Sequence, residues 1–406
     1  MTQIVRDCLS SGPFEVSSFA YGARNIRRVT AKLIRHAYEA ALTMTAVLLC
    51  YALALWLKGA VGLHTDVLVL AVALTVTLAG PQRSADPRQR LTALVLLPVA
   101  AGLCALLARL LSAHYALGAA VFTAGTALAI WIRRYGPAAT KAGTLVTLPL
   151  VALLVVPGPA LPPAARSGLV NWGWSALIGA LACGSVWLVQ GLADLPGVLR
   201  ARRHPDGPRP AGPAPAPARR ASRLRPRPST RMALQMAAGV GAAFALGRLL
   251  LDHHWPWPVL TAYVTAAGNR GRTDVLRKGI ERFVGACGGT LLATGAAAAG
   301  ASGRLAVVLV FVALAVALWL RPFNYAYWAA GLTTALSLLL GYFGQDAREL
   351  LPTRLEGIAV GAALAVAAAW WLLPVPRRPV PGRPAVPRTR RPTAHRAPPE
   401  GERNPR

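Results

Sequence analysis

Arginine is where this sequence has the means to do chemistry. Arg83, Arg90 and Arg134 in the first half recur as Arg270, Arg277 and Arg321 in the second, each displaced by 187 positions. A planar guanidinium holds a carboxylate through two parallel hydrogen bonds, so a cluster of these groups selects organic anions. Just before the second set runs a stretch that opens with Asp252, His253 and His254 and continues through Trp255 and Trp257 to Thr261. The indoles offer faces on which an aromatic acid can stack. Asp252, His253 and His254 are candidates for gating or for following pH, since imidazole titrates in that range. Two adjacent histidines point to different faces of a helix, so they are not read as a metal site. The sequence has no nucleophile elbow, phosphate-binding glycine loop, HExxH or CxxC, and its five cysteines are scattered. Neither an enzyme nor a cofactor is expected.

What must position these residues is a membrane-embedded scaffold. Apolar residues make up 54% of the 406, and charged residues only 15%, a balance that excludes an ordinary soluble domain. Apolar segments fall at about 37–57, 66–80, 91–109, 116–132, 142–157 and 168–191, then again at 232–251, 256–267, 283–300, 305–320, 326–343 and 355–373. Asp66–Gly80 and Trp255–Ala267 supply 15 and 13 residues, whereas a helix needs about 20 to cross a ~30 Å core. Shortened segments at equivalent places in two repeats point to a transport site, because broken helix ends can meet an ionic substrate. The expected fold is an all-α polytopic membrane protein with about 12 transmembrane helices. They form two parallel six-helix repeats, each with a short second helix.

The charge is distributed unevenly along this scaffold. The net charge is +29, carried by 44 basic residues. Alternating the segments leaves only Lys58, Arg109, Arg166, Arg248, Arg304, Arg348 and Arg354 on one side, and the other 37 basic residues on the opposite side. By the positive-inside rule the richer side is cytoplasmic, with both termini on it and the chain in the plasma (inner) membrane. The expected organisation is a basic cytoplasmic segment at 1–36, a first repeat at 37–191, a Pro/Arg-rich cytoplasmic linker at 192–231, a second repeat at 232–373, and a disordered Pro/Arg-rich tail at 374–406. Residues 1–36 lack the apolar core and cleavage site of a secretory signal. The partners expected are the lipid bilayer, small organic anions, anionic lipid at the basic linker and tail, and a homo-oligomeric copy. Nucleic acid is not expected, since the charge follows topology.

Trp257, Pro258, Leu260 and Thr261, then Leu276, Arg277, Lys278, Arg282, Gly285 and Thr290, resemble the conserved segment of the fusaric acid resistance (FUSC) or aromatic acid exporter family. In that family a short helix leads into a basic turn and a second helix. The resemblance covers about residues 231–345 and is weaker in the first half. It implies export of organic, aromatic carboxylates, and the repeat spacing and the ring-bearing stretch make Arg83, Arg90, Arg134, Arg270, Arg277, Arg321, Trp255, Trp257 and Thr261 the substrate-binding candidates. Two alternatives are an anion channel, since plant malate channels are similar to this family, and a non-transporting membrane scaffold. Longer members carry a soluble domain between the membrane halves, where this chain has only the basic linker. Gly285 with Gly289, and Gly357 with Gly361, form small-xxx-small pairs that allow close helix packing.

Overall fold

A segment crossing lipid has no water to satisfy its peptide groups, so it must close its own hydrogen bonds, and helices result. The computed structural model describes residues 13–63, 66–83, 87–155, 168–203, 228–268, 271–342 and 347–372. Among the described residues every regular element is a helix: α1 (Pro13–Val61), α2 (Asp66–Gln82), α3 (Pro87–Ala113), α4 (Tyr115–Trp131), α5 (Pro137–Val155), α6 (Gly168–Arg203), α7 (Pro228–Leu251), α8 (Pro256–Ala266), α9 (Arg272–Ala298), α10 (Gly303–Leu320), α11 (Tyr325–Tyr342) and α12 (Ala347–Trp371). Helices α1, α3, α5, α7 and α8 begin on proline, whose fixed φ suits the first helical position and whose missing N–H is not needed there. Gly268, at φ 77°, carries the chain out of α8 through a conformation that other residues rarely adopt.

Eight of the twelve helices (α1, α3, α4, α5, α6, α7, α10 and α12) are long and apolar enough to cross a membrane. Against the expected twelve spans, the described residues thus hold eight helices of that kind and four of another. In the second kind, α2 has 17 residues and α8 only 11. Helix α9 opens on the charged run RTDVLRKGIER, and α11 interrupts its leucines with tyrosine, tryptophan, threonine and serine. Three helices run farthest beyond their expected spans, because arginine, lysine and leucine are good helix formers that prolong a helix past the bilayer edge. Helix α1 reaches back to Pro13, α6 continues to Arg203 inside the expected linker, and α9 starts at Arg272. Residues 204–227 and 373–406, the rest of the expected linker and the tail, lie outside the described residues.

Helix α1 packs on α2 and α6, α2 on α5 and α6, α3 on α4, α5 and α6, and α4 on α5. In the second half α7 packs on α8 and α12, α8 on α9 and α12, α9 on α11 and α12, α10 on α11, and α11 on α12. The halves meet through α4 on α7, through α1 on α10 and, more sparsely, through α5 on α8. At the first contact the Tyr115 hydroxyl donates to the Phe244 carbonyl at 2.8 Å, and the Tyr115, Phe122 and Trp255 rings surround Phe244. At the second, Tyr51 meets Phe311 edge-on with ring centres 4.9 Å apart. Such pairs add about 0.5–1.5 kcal/mol each beyond the area they bury.

Candidate functional site

Between these two contacts lies a cavity of about 290 Å³, walled by residues of α1, α2, α5, α8, α9, α10 and α11. The four helices that are not long and apolar enough to count as membrane-crossing all contribute to it. Helix α11 lines it from Tyr325 to Tyr342, a rise of ~25 Å at 1.5 Å per residue. The wall is mostly aliphatic and aromatic, with Tyr51, Phe311, Tyr325 and Trp328 among the rings. Its volume is at the lower end of the ~300–1,000 Å³ typical of ligand pockets, a size that suits a small ring compound.

One guanidinium enters this cavity deep in the protein. Arg282 of α9 is only 5% exposed and lines the cavity. Its Nε donates to the Thr261 hydroxyl of α8 at 3.4 Å, and a terminal nitrogen donates to the Tyr325 hydroxyl of α11 at 3.5 Å. Both contacts are long and both partners neutral. Among the described residues no carboxylate lies within 4 Å of Arg282. A buried charge without a counter-charge costs several kcal/mol, and a carboxylate arriving in the cavity offsets that cost through bidentate hydrogen bonds.

The rim on the side of the basic turns is also cationic. Lys278 donates to the Ala267 carbonyl at the end of α8 at 2.9 Å, and its ammonium lies 5.3 Å from the centre of the Tyr325 ring. Burial, with Arg282 and Arg321 nearby, brings its pKa down to about 8. The guanidinium of Arg321 stands 5.3 Å from the centre of the Trp328 ring. Tyr325 and Trp328 therefore separate these outer cations from the cavity.

The other anticipated residues are placed as follows. Arg83 pairs with Glu39 at 3.3 Å and donates to its carbonyl. Arg90 faces Asp194 at 3.8 Å, tying α3 to α6. Arg134 stacks over Trp131 and Tyr135 at the end of α4, at 4.4 and 5.0 Å. Arg277 pairs with Glu281 at 2.7 Å, as the helical spacing predicts, and its side chain is 76% exposed. Arg270 and the side chain of His253 lie outside the described residues. Asp252, at φ 42°, pairs with Arg248 at 2.8 Å, and His254 is half-buried in the 3₁₀ turn Asp252–His254. Trp255 belongs to the ring cluster around Phe244, while Trp257 lies under the guanidinium of Arg354. Thr261 touches Arg282 beside the cavity. Because Arg277 is a solvent-exposed rim charge, Arg277→Ala should raise the apparent KM for a carboxylate by about two- to threefold. Flux assays at low salt should show that difference, and at ~0.5 M salt screening should abolish it.

Sequence reasoning passed over Arg282 as a ligand because it counted the residue with the basic turn. A signal was present: an arginine ten residues into a helix, flanked by Gly279 and Gly285, is an ionisable group on its way into the membrane. Arg354, read from the sequence as an outer-loop charge, is buried inside α12 at 4% exposure.

Residues 241–368 match the family model described as fusaric acid resistance protein-like. Over these residues the chain is similar to that family. The matched segment begins in α7 and ends in α12, so it holds Arg282 with Thr261 and Tyr325. The family is one of membrane transporters and not of enzymes, and the long apolar helices fit a multi-pass membrane protein. No curated protein and no solved structure matches the chain.

Proposed function

We propose that this protein exports organic carboxylate anions, aromatic ones above all, and that Arg282 holds the carboxylate while the cavity rings hold the body of the substrate. The observation that carries the proposal is a buried guanidinium, hydrogen-bonded to two neutral hydroxyls, in an apolar cavity between the halves whose wall includes several aromatic rings. Arg321 and Lys278 at the rim, with Arg83, Arg90, Arg134, Arg270 and Arg277 farther along the basic turns, gather the anion. A negative-inside potential then favours its exit by about 2.3 kcal/mol per charge per 100 mV. Six neighbour pairs that recur in both halves, and the reciprocal contacts of α4 with α7 and α10 with α1, support two parallel repeats about an axis along the membrane normal. In this reading both termini and the basic turns face the cytoplasmic side of the plasma membrane, as the positive-inside rule favours. All 15 acidic residues fall near span ends or in loops of the sequence-level layout, so export in this scheme is driven by potential, without a mid-membrane proton relay.

The test is flux of benzoate, salicylate and acetate from liposomes holding the purified protein, under an imposed inside-negative potential. Saturable flux that rises with potential and favours the aromatic acids is the expected result. Flux of no acid, or equal flux of acetate and benzoate, would reject the aromatic-carboxylate reading.

A further inference from the structure

The second half of the protein buries another guanidinium that the cavity does not explain. A terminal nitrogen of Arg354 donates to the Ser337 hydroxyl of α11 at 2.7 Å, and the guanidinium lies 4.4 Å from the centre of the Trp257 ring of α8. Its Nε is buried without a partner. Among the described residues no carboxylate lies within 4 Å of it. An arginine retained only to fasten helices would be expected to carry a counter-charge, because a lone buried cation destabilises the fold it fastens.

Arg354 and Arg282 also act on each other: they are near enough for their charges to repel. Their contacts on α8, Trp257 and Thr261, are one helical turn apart, a rise of ~6 Å, and those on α11, Ser337 and Tyr325, are separated by ~18 Å of rise. Arg354 is thus displaced from Arg282 along the helix axes, away from the basic rim. Leu260 and Leu336, adjacent in sequence to Thr261 and Ser337, both line the cavity, so the two helices that hold Arg354 also wall the cavity.

We infer that Arg354, Ser337 and Trp257 form a second anion-holding position, to which a carboxylate passes from Arg282 during transport. The guanidinium and the hydroxyl supply donors, and the indole supplies an aromatic face. A single deep site would hold its anion too firmly to release it, whereas two positions within reach allow entry and exit. An anion at either position relieves the repulsion between the two arginines. This inference rests on the transport reading above.

The experiment uses the full-length protein with radiolabelled benzoate as probe, measuring equilibrium binding in detergent and potential-driven flux in liposomes. The variants are Arg354→Gln, Ser337→Ala and Arg282→Gln. Wild type should show two binding phases, and Arg354→Gln should keep one and lose at least tenfold in flux. Should Arg354→Gln fail to fold, Ser337→Ala, which leaves the charge in place, should still weaken the second phase at least threefold. A single binding phase in wild type overturns the second position, and so does unchanged flux in a monodisperse Arg354→Gln protein or an unchanged second phase in Ser337→Ala. If Arg282→Gln alone abolishes flux, only this inference fails. If wild type neither binds nor carries benzoate, the transport reading fails with it.

Discussion

Arg282→Gln should lower saturating benzoate flux about a hundredfold and leave the protein at least as stable as wild type. The two halves of that expectation come from one fact. Arg282 is 5% exposed, and among the described residues its hydrogen bonds go to the hydroxyls of Thr261 and Tyr325. Glutamine keeps a donor for either hydroxyl but removes the charge, so the fold is relieved of an unpaired buried cation. The substrate loses the bidentate partner for its carboxylate. Removing one member of a buried, hydrogen-bonded charge pair costs about 2–5 kcal/mol, and ~3 kcal/mol corresponds to roughly a hundredfold. Arg282→Lys keeps the charge without the planar fork, and about tenfold loss is expected. Thermal melts in detergent should place both variants at or above the wild-type midpoint. A glutamine variant that is folded and still carries benzoate would move the site away from α9. A variant that melts early would make Arg282 a packing residue.

Much of the scaffold was legible from the sequence because lipid leaves few options. Twelve apolar segments became twelve helices, and the two that the sequence shows shortened, Asp66–Gln82 and Pro256–Ala266, have 17 and 11 residues. The order of the helices was equally readable, since it depends on local composition. The cavity was less so. It is assembled from seven helices far apart in sequence, and nothing in the spacing of Tyr51, Phe311 and Trp328 reveals that they share a wall. Arginine position misled for a related reason: a sequence shows that a charge is near a helix end but not which way its side chain runs. Arg277 turns outward to Glu281, and Arg282, five residues later and so on a different face of α9, turns inward. Arg354 shows the same limit, since two residues after Pro352 it could as easily have been a loop charge.

Gly289→Leu should unfold the second half, and the neighbouring Gly288→Ala should be harmless. A Cβ at Gly289 would overlap the carbonyl oxygen of Ala330 and stand 2.9 Å from the Cβ of Thr333, both on α11. The obstacle is backbone, which cannot swing aside as a flexible side chain can. Gly285, one turn earlier, faces the Ala326 carbonyl in the same way, and Gly361 of α12 faces the Pro258 carbonyl of α8. Overpacking a tight core costs about 1–3 kcal/mol when side chains can yield, so even alanine at 289 should cost about that much. Leucine, which must part the helices, should cost more than ~3 kcal/mol. Gly288 has nothing within 4 Å of its Cβ, and alanine there should be neutral or stabilising by up to ~1 kcal/mol through the unfolded chain. Melting midpoints of the monodisperse protein in detergent should rank Gly288→Ala, Gly289→Ala and Gly289→Leu in descending order. The same contact bears on transport. The Thr334 hydroxyl donates to the Gly289 carbonyl at 3.0 Å, which fixes the register of α11 against α9. That register sets where Tyr325 and Trp328 stand relative to Arg282. At a temperature where Gly289→Ala is still folded, it should therefore lose benzoate flux beyond its loss of stability, whereas Gly288→Ala should carry benzoate as wild type does.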